Sequence, residues 1–223
     1  MLSLRNVRYA WPGGAADCVA IDKLVVPGGS KLFLHGPSGC GKSTLLGLMA
    51  GVLVAREGQV SLLGDDWAAF SGGKRDARRA DHVGVIFQQF NLLPYLSVLH
   101  NVLLPCRFSA LRASRCDASP TAAARALLQQ VGLPENLWQR PALALSVGQQ
   151  QRVAAARALI GRPELVIADE PSSALDAARR DEFMALLLAE CAAAGSTLVF
   201  VSHDERLARH FDVQLSLPDL NTA

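Results

Sequence analysis

The pattern of apolar and polar positions divides the chain into strand-like and helix-like stretches. Residues 2–7 alternate between apolar and polar side chains, which is typical of a strand with one buried face. Residues 165–168 and 197–201 are continuous apolar runs, as expected of parallel strands covered on both faces. Between them, residues 177–194 have an amphipathic pattern that predicts a long helix. A strand, a helix and a strand in this order predict an α/β core with right-handed crossovers.

Other stretches extend this outline on both sides of the core. Four more strands are predicted at residues 20–26, 31–35, 59–64 and 83–87. Helices are predicted at residues 43–50, 121–131 and 149–160, where the composition favours a helix and, for the first, Gly51 follows its end. Between about residues 92 and 148 the pattern is helical with proline breaks, and we expect a helical lobe inserted in the core.

Composition and charge exclude several classes of protein. The 223 residues suffice for one domain with its own core, and the net charge of +2 gives no support for a nucleic-acid partner. The most basic run, residues 74–79, contains Asp76 and is expected to be a solvated face. The five cysteines form no C-x-x-C pair, which suggests neither a zinc site nor a disulfide framework. The longest apolar run, residues 45–55, is shorter than the roughly 20 residues that a membrane-spanning helix needs.

A phosphate-binding motif, G-x-x-x-x-G-K-[ST], occupies residues 36–43 between a predicted strand and a predicted helix. Its glycines let backbone N–H groups surround phosphate, Lys42 supplies a charge for the β- and γ-phosphates, and Ser43 offers a hydroxyl to Mg²⁺. A chance glycine-rich turn is the alternative, but it would not explain the flanking strand and helix. The predicted nucleotide-binding residues of this segment are Gly36, Pro37, Ser38, Gly39, Cys40, Gly41, Lys42, Ser43 and Thr44.

Two carboxylates follow the apolar run at residues 165–168. Asp169 stands where a strand-end carboxylate holds Mg²⁺, directly or through water, in enzymes with this phosphate-binding loop. Glu170 would then orient or deprotonate the attacking water. Acids after a strand are usually solvent-facing loop residues, but their pairing with the phosphate-binding motif favours the catalytic interpretation.

Four further motifs narrow the class of ATPase. The run LSVGQ at residues 145–149 resembles the L-S-G-G-Q signature of ABC proteins, and residues 172–176, 201–204 and 87–94 resemble their D-loop, switch histidine and Q-loop. The motifs come in the family's order and cover residues 6 to about 212. The chain therefore resembles the ATP-binding subunit of an ABC transporter. This resemblance implies an α/β P-loop NTPase of ABC type within a single domain, residues 1–223, with a central mainly parallel sheet, an N-terminal antiparallel β subdomain and the helical lobe at about 92–148.

The resemblance also implies roles for single residues around ATP and Mg²⁺. Trp11 would stack on adenine, with Tyr9 as the reserve candidate and a partly buried sheet aromatic as the alternative reading of Trp11. Stacking tolerates any base, so ATP and GTP are not distinguished. Gln88 would contact Mg²⁺ and the attacking water, although Gln89 next to it is a second candidate. His203 would contact the γ-phosphate.

A second subunit completes the implied site. Two chains of this family pack head to tail, so that the signature of one faces the ATP of the other. The residues that would act across that interface are Ser146, Gly148, Gln149 and Asp176. Val147 replaces the first signature glycine, which is expected to alter coupling at most, and Cys40 replaces a common serine in a loop whose backbone amides do the binding.

The implied function is ATP hydrolysis that powers a separate transmembrane permease, with the chain attached peripherally to the cytoplasmic face of the inner or plasma membrane. Residues 91–94 and 101–105 are similar to the group that includes lipoprotein-release and macrolide-export ATPases. The apolar stretch at residues 90–105, with Tyr95 and Leu99, is expected to receive a short permease helix, or else to be lobe core. Two other functions stay open: an ATPase module of a membrane regulatory complex that moves no solute, and a soluble ABC ATPase of DNA repair or translation.

Overall fold

The computed structural model describes residues 1–14, 16–172 and 177–223. The strands, in chain order, are β1 (Leu2–Tyr9), β2 (Val19–Val26), β3 (Lys31–His35), β4 (Glu57–Leu62), β5 (Asp65–Asp66), β6 (Val83–Ile86), β7 (Leu165–Asp169), β8 (Thr197–Val201) and β9 (Val213–Ser216). The helices are α1 (Lys42–Met49), α2 (Gly72–His82), α3 (Val98–Phe108), α4 (Ala110–Ser114), α5 (Pro120–Gln130), α6 (Val147–Leu159), α7 (Ala177–Ala194) and α8 (Leu217–Leu220). The chain forms two compact units, residues 1–79 with 197–223 and residues 80–196.

The first unit contains an antiparallel sheet in the strand order β2-β1-β4-β5. Strand β1 alternates between buried and accessible positions, because one of its faces covers the core. The register of β1 against β4 shifts between Arg5 and Arg8, and Asn6 in this bulge has a left-handed backbone with φ 50°. Gly58 lies opposite the bulge, where a Cβ atom would be 2.2 Å from the Asn6 carbonyl oxygen. The predicted antiparallel subdomain is thus confirmed.

The first unit also contains three parallel strands, with β3 between β8 and β9. Every residue of β8 is buried, which explains why its sequence is a continuous apolar run rather than an alternating one. The aromatic rings of Phe33, Phe200 and Phe211 pack together with centroids 5.3–6.3 Å apart. This packing fixes the position of strand β3, and the motif at residues 36–43 follows directly after this strand.

In the second unit, β6 and β7 are paired in parallel from Val83 opposite Leu165 to Ile86 opposite Ala168. Helices α3, α5 and α6 pack around an apolar cluster whose fully buried members include Val98, Val102, Leu128, Val153 and Ile160. Helices α3 and α5 lie within residues 92–148, where a helical lobe was predicted, whereas α6 begins at the end of that range. Leu99 belongs to the same cluster, so the structure assigns it to the lobe core and not to an exposed permease-binding surface.

Helix α2 was not predicted as a helix, although its exposure was. None of its residues is buried, so the basic run at residues 74–79 is a solvated face, as expected. In the described part of the chain, no helix combines the length and the apolar character that crossing a lipid bilayer requires.

Candidate functional site

The phosphate-binding motif forms the loop between β3 and α1 in the first unit. Gly39 and Gly41 have φ values of 84° and 100°, a left-handed region that suits glycine. Gly41 is also the N-cap of α1, and a Cβ atom there would lie 2.9 Å from the carbonyl oxygen of Cys18. A glycine cap has no side-chain acceptor for the first N–H groups of the helix. These donors can therefore bind a phosphate in the loop.

Lys42 is buried at the start of α1, and its ammonium group folds back over its own loop. Its Nζ donates to the carbonyl oxygens of Gly36 at 2.7 Å and Pro37 at 2.8 Å. One of its three N–H donors is left for another acceptor. Ser43, the next residue, is exposed, whereas Thr44 is buried. The Ser43 hydroxyl, which is predicted to bind the metal, is therefore the accessible one of the two.

The C-terminal segment contacts this loop, a feature that the sequence did not predict. The Asn221 side chain accepts from the Ala20 N–H at 2.6 Å, and its Nδ2 donates to the Cys18 carbonyl oxygen at 3.1 Å and to that of Cys40 at 3.5 Å. A Cβ atom on Gly36 would lie 3.1 Å from Cδ of Pro218. An isolated asparagine about 180 residues after the motif carries no sequence signal for this role.

The two aromatic candidates differ in accessibility. Trp11, in the loop after β1, is 52% exposed, whereas Tyr9 is only 8% exposed. Their rings meet edge to face with centroids 5.5 Å apart. Only a ring with an open face can stack on a base, so the structure favours Trp11 of the pair. His203 lies in the first unit too, exposed two residues after the end of β8.

Gln88 lies in the second unit, in a tight turn directly after β6. The Phe90 N–H donates to the Phe87 carbonyl oxygen at 2.9 Å, which places Gln88 and Gln89 at the two central positions. Both glutamine side chains are exposed, so the structure leaves both candidates open.

Asp169 is the last residue of β7, and Glu170 follows it with a left-handed backbone at φ 45°. This conformation is unfavourable for a side chain with a Cβ atom, and such residues cluster at functional sites. Because the rest of β7 is buried, the strand fixes where both half-buried carboxylates emerge.

The signature residues form the start of α6. Ser146 is the N-cap, and its Oγ accepts from the Gln149 N–H at 3.4 Å while the Gln149 side chain accepts from the Ser146 N–H at 3.0 Å. This reciprocal pair is a capping box. Val147 is half exposed, so its replacement of glycine puts an apolar side chain on the surface. Asp176 lies outside the described residues.

The predicted metal ligands suit Mg²⁺ by their chemistry. Ser43, Gln88 and Asp169 offer hydroxyl, amide and carboxylate oxygens, and Mg²⁺ prefers oxygen ligands. Among the described residues there is no cluster of three or more His, Cys, Asp or Glu side chains that could hold a metal by themselves. Mg²⁺ commonly binds through one or two carboxylates together with substrate phosphates, and this donor set fits that mode.

The predicted residues thus fall into two groups. The first unit contains Trp11, residues 36–44 and His203, and the second contains Gln88, Ser146, Gly148, Gln149, Asp169 and Glu170. The model of the family described as ABC transporter matches residues 22–173, across both groups. The chain belongs to the ABC transporter family.

Curated ABC proteins resemble the chain over most of its length. It is 44% identical over 195 residues to the uncharacterized ABC transporter ATP-binding protein YbbA of Escherichia coli strain K12, covering 87% of this chain and 83% of YbbA. It is 39% identical to the lipoprotein-releasing system ATP-binding protein LolD of Novosphingobium aromaticivorans, covering 95% and 93%. It is 37% identical to the probable export ATP-binding/permease protein MacB of Pseudomonas entomophila, covering 98% of this chain and 32% of MacB. The predicted resemblance to lipoprotein-release and macrolide-export ATPases is confirmed.

A solved ABC structure has the same fold. The ATP-binding cassette MJ0796, solved as a dimer in a post-hydrolysis state with ADP and Pi, superposes with a TM-score of 0.86 at 33% identity, covering 97% of this chain and 94% of that one. The predicted ABC-type α/β fold is therefore confirmed.

Proposed function

We propose that this ABC chain is the ATP-binding and ATP-hydrolysing subunit of a transporter, and that ATP-driven head-to-tail dimerisation powers a separate membrane permease. The loop between β3 and α1 is the observation that carries this proposal. Its left-handed glycines, its glycine-capped helix and the buried Lys42 form a cradle for a polyphosphate. The dimeric MJ0796 cassette with ADP and Pi supports both the ligand class and the assembly.

In the proposed reaction each group has one task. Lys42 exchanges its loop carbonyls for the β- and γ-phosphate oxygens, and Trp11 stacks on the base. Ser43, Asp169 and Gln88 hold Mg²⁺, which when bound neutralises charge on the phosphates. Glu170 orients the attacking water and accepts its proton, and His203 contacts the γ-phosphate.

The second copy contributes the signature. Ser146, Gly148 and Gln149 of that copy approach the γ-phosphate with the N-terminus of α6, where N–H groups and the helix dipole favour an anion. Asp176 is proposed to lie near the same interface. ATP then joins the two copies, and hydrolysis releases them.

A permease helix is the proposed partner at an exposed apolar patch of the second unit. Tyr95 is 75% exposed and Leu143 is 78% exposed, and the Leu143 N–H donates to the Pro94 carbonyl oxygen at 3.1 Å, so the two segments adjoin. Two adjoining large apolar side chains with this exposure are suited to a protein contact. This contact would attach the chain to the cytoplasmic face of the membrane.

Substitution of Glu170 tests the proposal. We expect Glu170→Gln to lower ATP turnover at least about a hundredfold, since a misplaced or missing general base costs that much, while ATP-dependent dimerisation persists. Phosphate release and light scattering after size exclusion measure the two properties. Glu135→Gln, a matched change at an exposed position of the same unit, should leave both unchanged.

Lys42→Ala provides the second half of the test. It should abolish nucleotide binding, measured by calorimetry, because the buried ammonium group is the loop's only described side-chain charge. Unchanged nucleotide affinity in Lys42→Ala, or unchanged turnover in Glu170→Gln, would refute the assigned roles.

A further inference from the structure

The turn that carries Gln88 ends in an unfavourable backbone. Phe90 and Asn91 are consecutive residues with φ values of 58° and 47°, and neither is glycine. Asparagine tolerates this conformation, but a phenylalanine with a left-handed backbone persists only where neighbouring groups hold it. The hydrogen bonds to the carbonyl oxygens of Phe90 and Asn91 show which group holds the turn.

Both carbonyl oxygens are bound by one side chain. Arg157, on α6, donates from Nη1 to the Asn91 oxygen at 2.7 Å and from Nη2 to the Phe90 oxygen at 2.5 Å. The planar guanidinium fork suits two acceptors side by side, which the single ammonium of a lysine cannot match. Burial lowers the pKa of Arg157. Within the described part of the chain, the side-chain hydrogen bonds of Arg157 go to this turn.

The other end of β6 is fixed to the same helix. Gly84 packs so closely on α6 that a Cβ atom there would lie 2.2 Å from the Ala158 carbonyl oxygen. The buried Arg112 donates to the carbonyl oxygens of Ala158 at 2.6 Å, Ile160 at 2.8 Å and Val83 at 3.4 Å. The C-terminal end of α6, strand β6 and the turn after it are therefore linked at three points.

Helix α6 extends from these links to the signature. Ser146 caps its N-terminus, eleven residues before Arg157, which is roughly 16 Å along a helix that rises about 1.5 Å per residue. Arg157 and Ser146 therefore lie on one continuous helix, about three turns apart, and this helix connects the turn at Phe90 to the signature.

We propose that Arg157 is a positioning residue that fixes the turn carrying Gln88 and ties its placement to the signature end of α6. This inference rests on the proposed function, because Gln88 and Ser146 have their roles there. Arg157 itself touches neither nucleotide nor water in this account. It acts through the two carbonyl oxygens.

The test compares Arg157→Met with Arg152→Met. Arg152 lies on the same helix and donates from Nη1 to the carbonyl oxygens of Val131 at 3.1 Å and Gly132 at 3.2 Å, and from Nη2 to Glu182 Oε1 at 3.0 Å. Its replacement is therefore a control for the loss of an arginine and its hydrogen bonds from α6. In Arg157→Met we expect kcat for ATP to fall at least about tenfold, with KM and nucleotide affinity within about twofold of the unmodified chain. In Arg152→Met we expect kcat within about twofold. Arg157→Lys, which keeps the charge but not the fork, should retain the fold and show an intermediate kcat.

A cycle with Gln88→Ala separates this inference from the proposed function. Gln88→Ala alone should lower kcat, and adding Arg157→Met should cost little more, because both changes remove the same positioned amide. Loss of turnover in Gln88→Ala with normal turnover in Arg157→Met overturns the inference and leaves the proposed function intact. Normal turnover in Gln88→Ala refutes the role of Gln88 itself and the inference with it.

Two further results would also overturn the inference. One is an equal fall in kcat in Arg157→Met and Arg152→Met, which would indicate general damage to α6. The other is a fully additive loss in the double variant. The melting temperature of each variant is measured as well. A fall in kcat without a matching fall in melting temperature shows that the effect does not come from lost stability.

Discussion

Replacing Gly84 with alanine tests how closely β6 packs on α6. Gly84 is the second residue of β6, buried and opposite Val166 in the parallel ladder. The added Cβ atom would lie 2.2 Å from the Ala158 carbonyl oxygen, 3.0 Å from the Ala158 carbonyl carbon and 3.3 Å from its Cα. All three are backbone atoms, so no side chain can turn away, and either β6 or α6 has to move.

The size of the effect follows from these distances. Ordinary contact begins at 3.4 Å, so the strand or the helix has to shift by about 1 Å, and overpacking of this kind costs about 1–3 kcal/mol. The same shift lengthens the bonds from Arg112 to Ala158 and Val83, each worth about 1.5–3 kcal/mol when intact. Alanine recovers about 0.4–1 kcal/mol by restricting the unfolded chain. We expect a net loss of about 2–4 kcal/mol in the free energy of unfolding.

Urea denaturation followed by tryptophan fluorescence and circular dichroism measures this loss as a lower midpoint. Gly73→Ala is the control, because Gly73 lies in the exposed helix α2 with no atom within 4 Å of the added Cβ. Because Gly73 is the second residue of α2 and not in its interior, this change should leave the midpoint unchanged or raise it slightly. A midpoint of Gly84→Ala equal to that of the unmodified chain would refute the close packing of β6 on α6.

Two other predictions concern titratable groups of the second unit. Burial raises the pKa of the Glu164 carboxyl, but hydrogen bonds from Arg115 and His82 outweigh it and lower the pKa below its ordinary value. The carboxylate thus stabilises the fold fully above its unfolded pKa of about 4.3 and loses this effect as the pH falls through the folded pKa. Glu164→Gln should cost about 1–2 kcal/mol at pH 7 and progressively less below about pH 4, and a difference that is constant from pH 3 to 7 in urea titrations would contradict this. Burial, with Cys116 beside it, raises the pKa of the Cys106 thiol to about 12, so iodoacetamide at pH 8 should alkylate Cys106 at least about a hundredfold more slowly in the folded chain than in urea; equal rates by peptide mass spectrometry would exclude the shift.

The elements with strong local signals could be predicted from the sequence. The apolar runs of β7 and β8 and the alternation of β1 report burial directly, and the motif at residues 36–43 has its expected strand and helix on either side. Helix α6 was predicted at residues 149–160 and spans Val147–Leu159. In these segments the local sequence pattern indicates the conformation, so one sequence is enough to predict it.

The missed features depend on partners far along the chain or lack an apolar pattern. Helix α2 begins with two glycines and buries no residue, so it has no apolar stripe that would indicate a helix in the sequence. The contacts of Arg157 with the turn after β6 join positions 66 and 67 residues apart, and Asn221 reaches Cys18 across 203 residues. Leu99 was considered for a permease contact because its neighbours are apolar, but only packing in three dimensions shows which side of α3 faces the core.

The cap of α6 has a consequence for how the signature would meet an anion. Ser146 Oγ accepts the Gln149 N–H, so a lone pair of the hydroxyl is engaged inward while its hydrogen stays available to an outside acceptor. Hydrogen bonds in series polarise one another, and a hydroxyl that already accepts from an amide is a better donor. Docking of a phosphate oxygen would therefore leave the capping box intact and strengthen it, so that the helix start is more rigid when occupied than when empty.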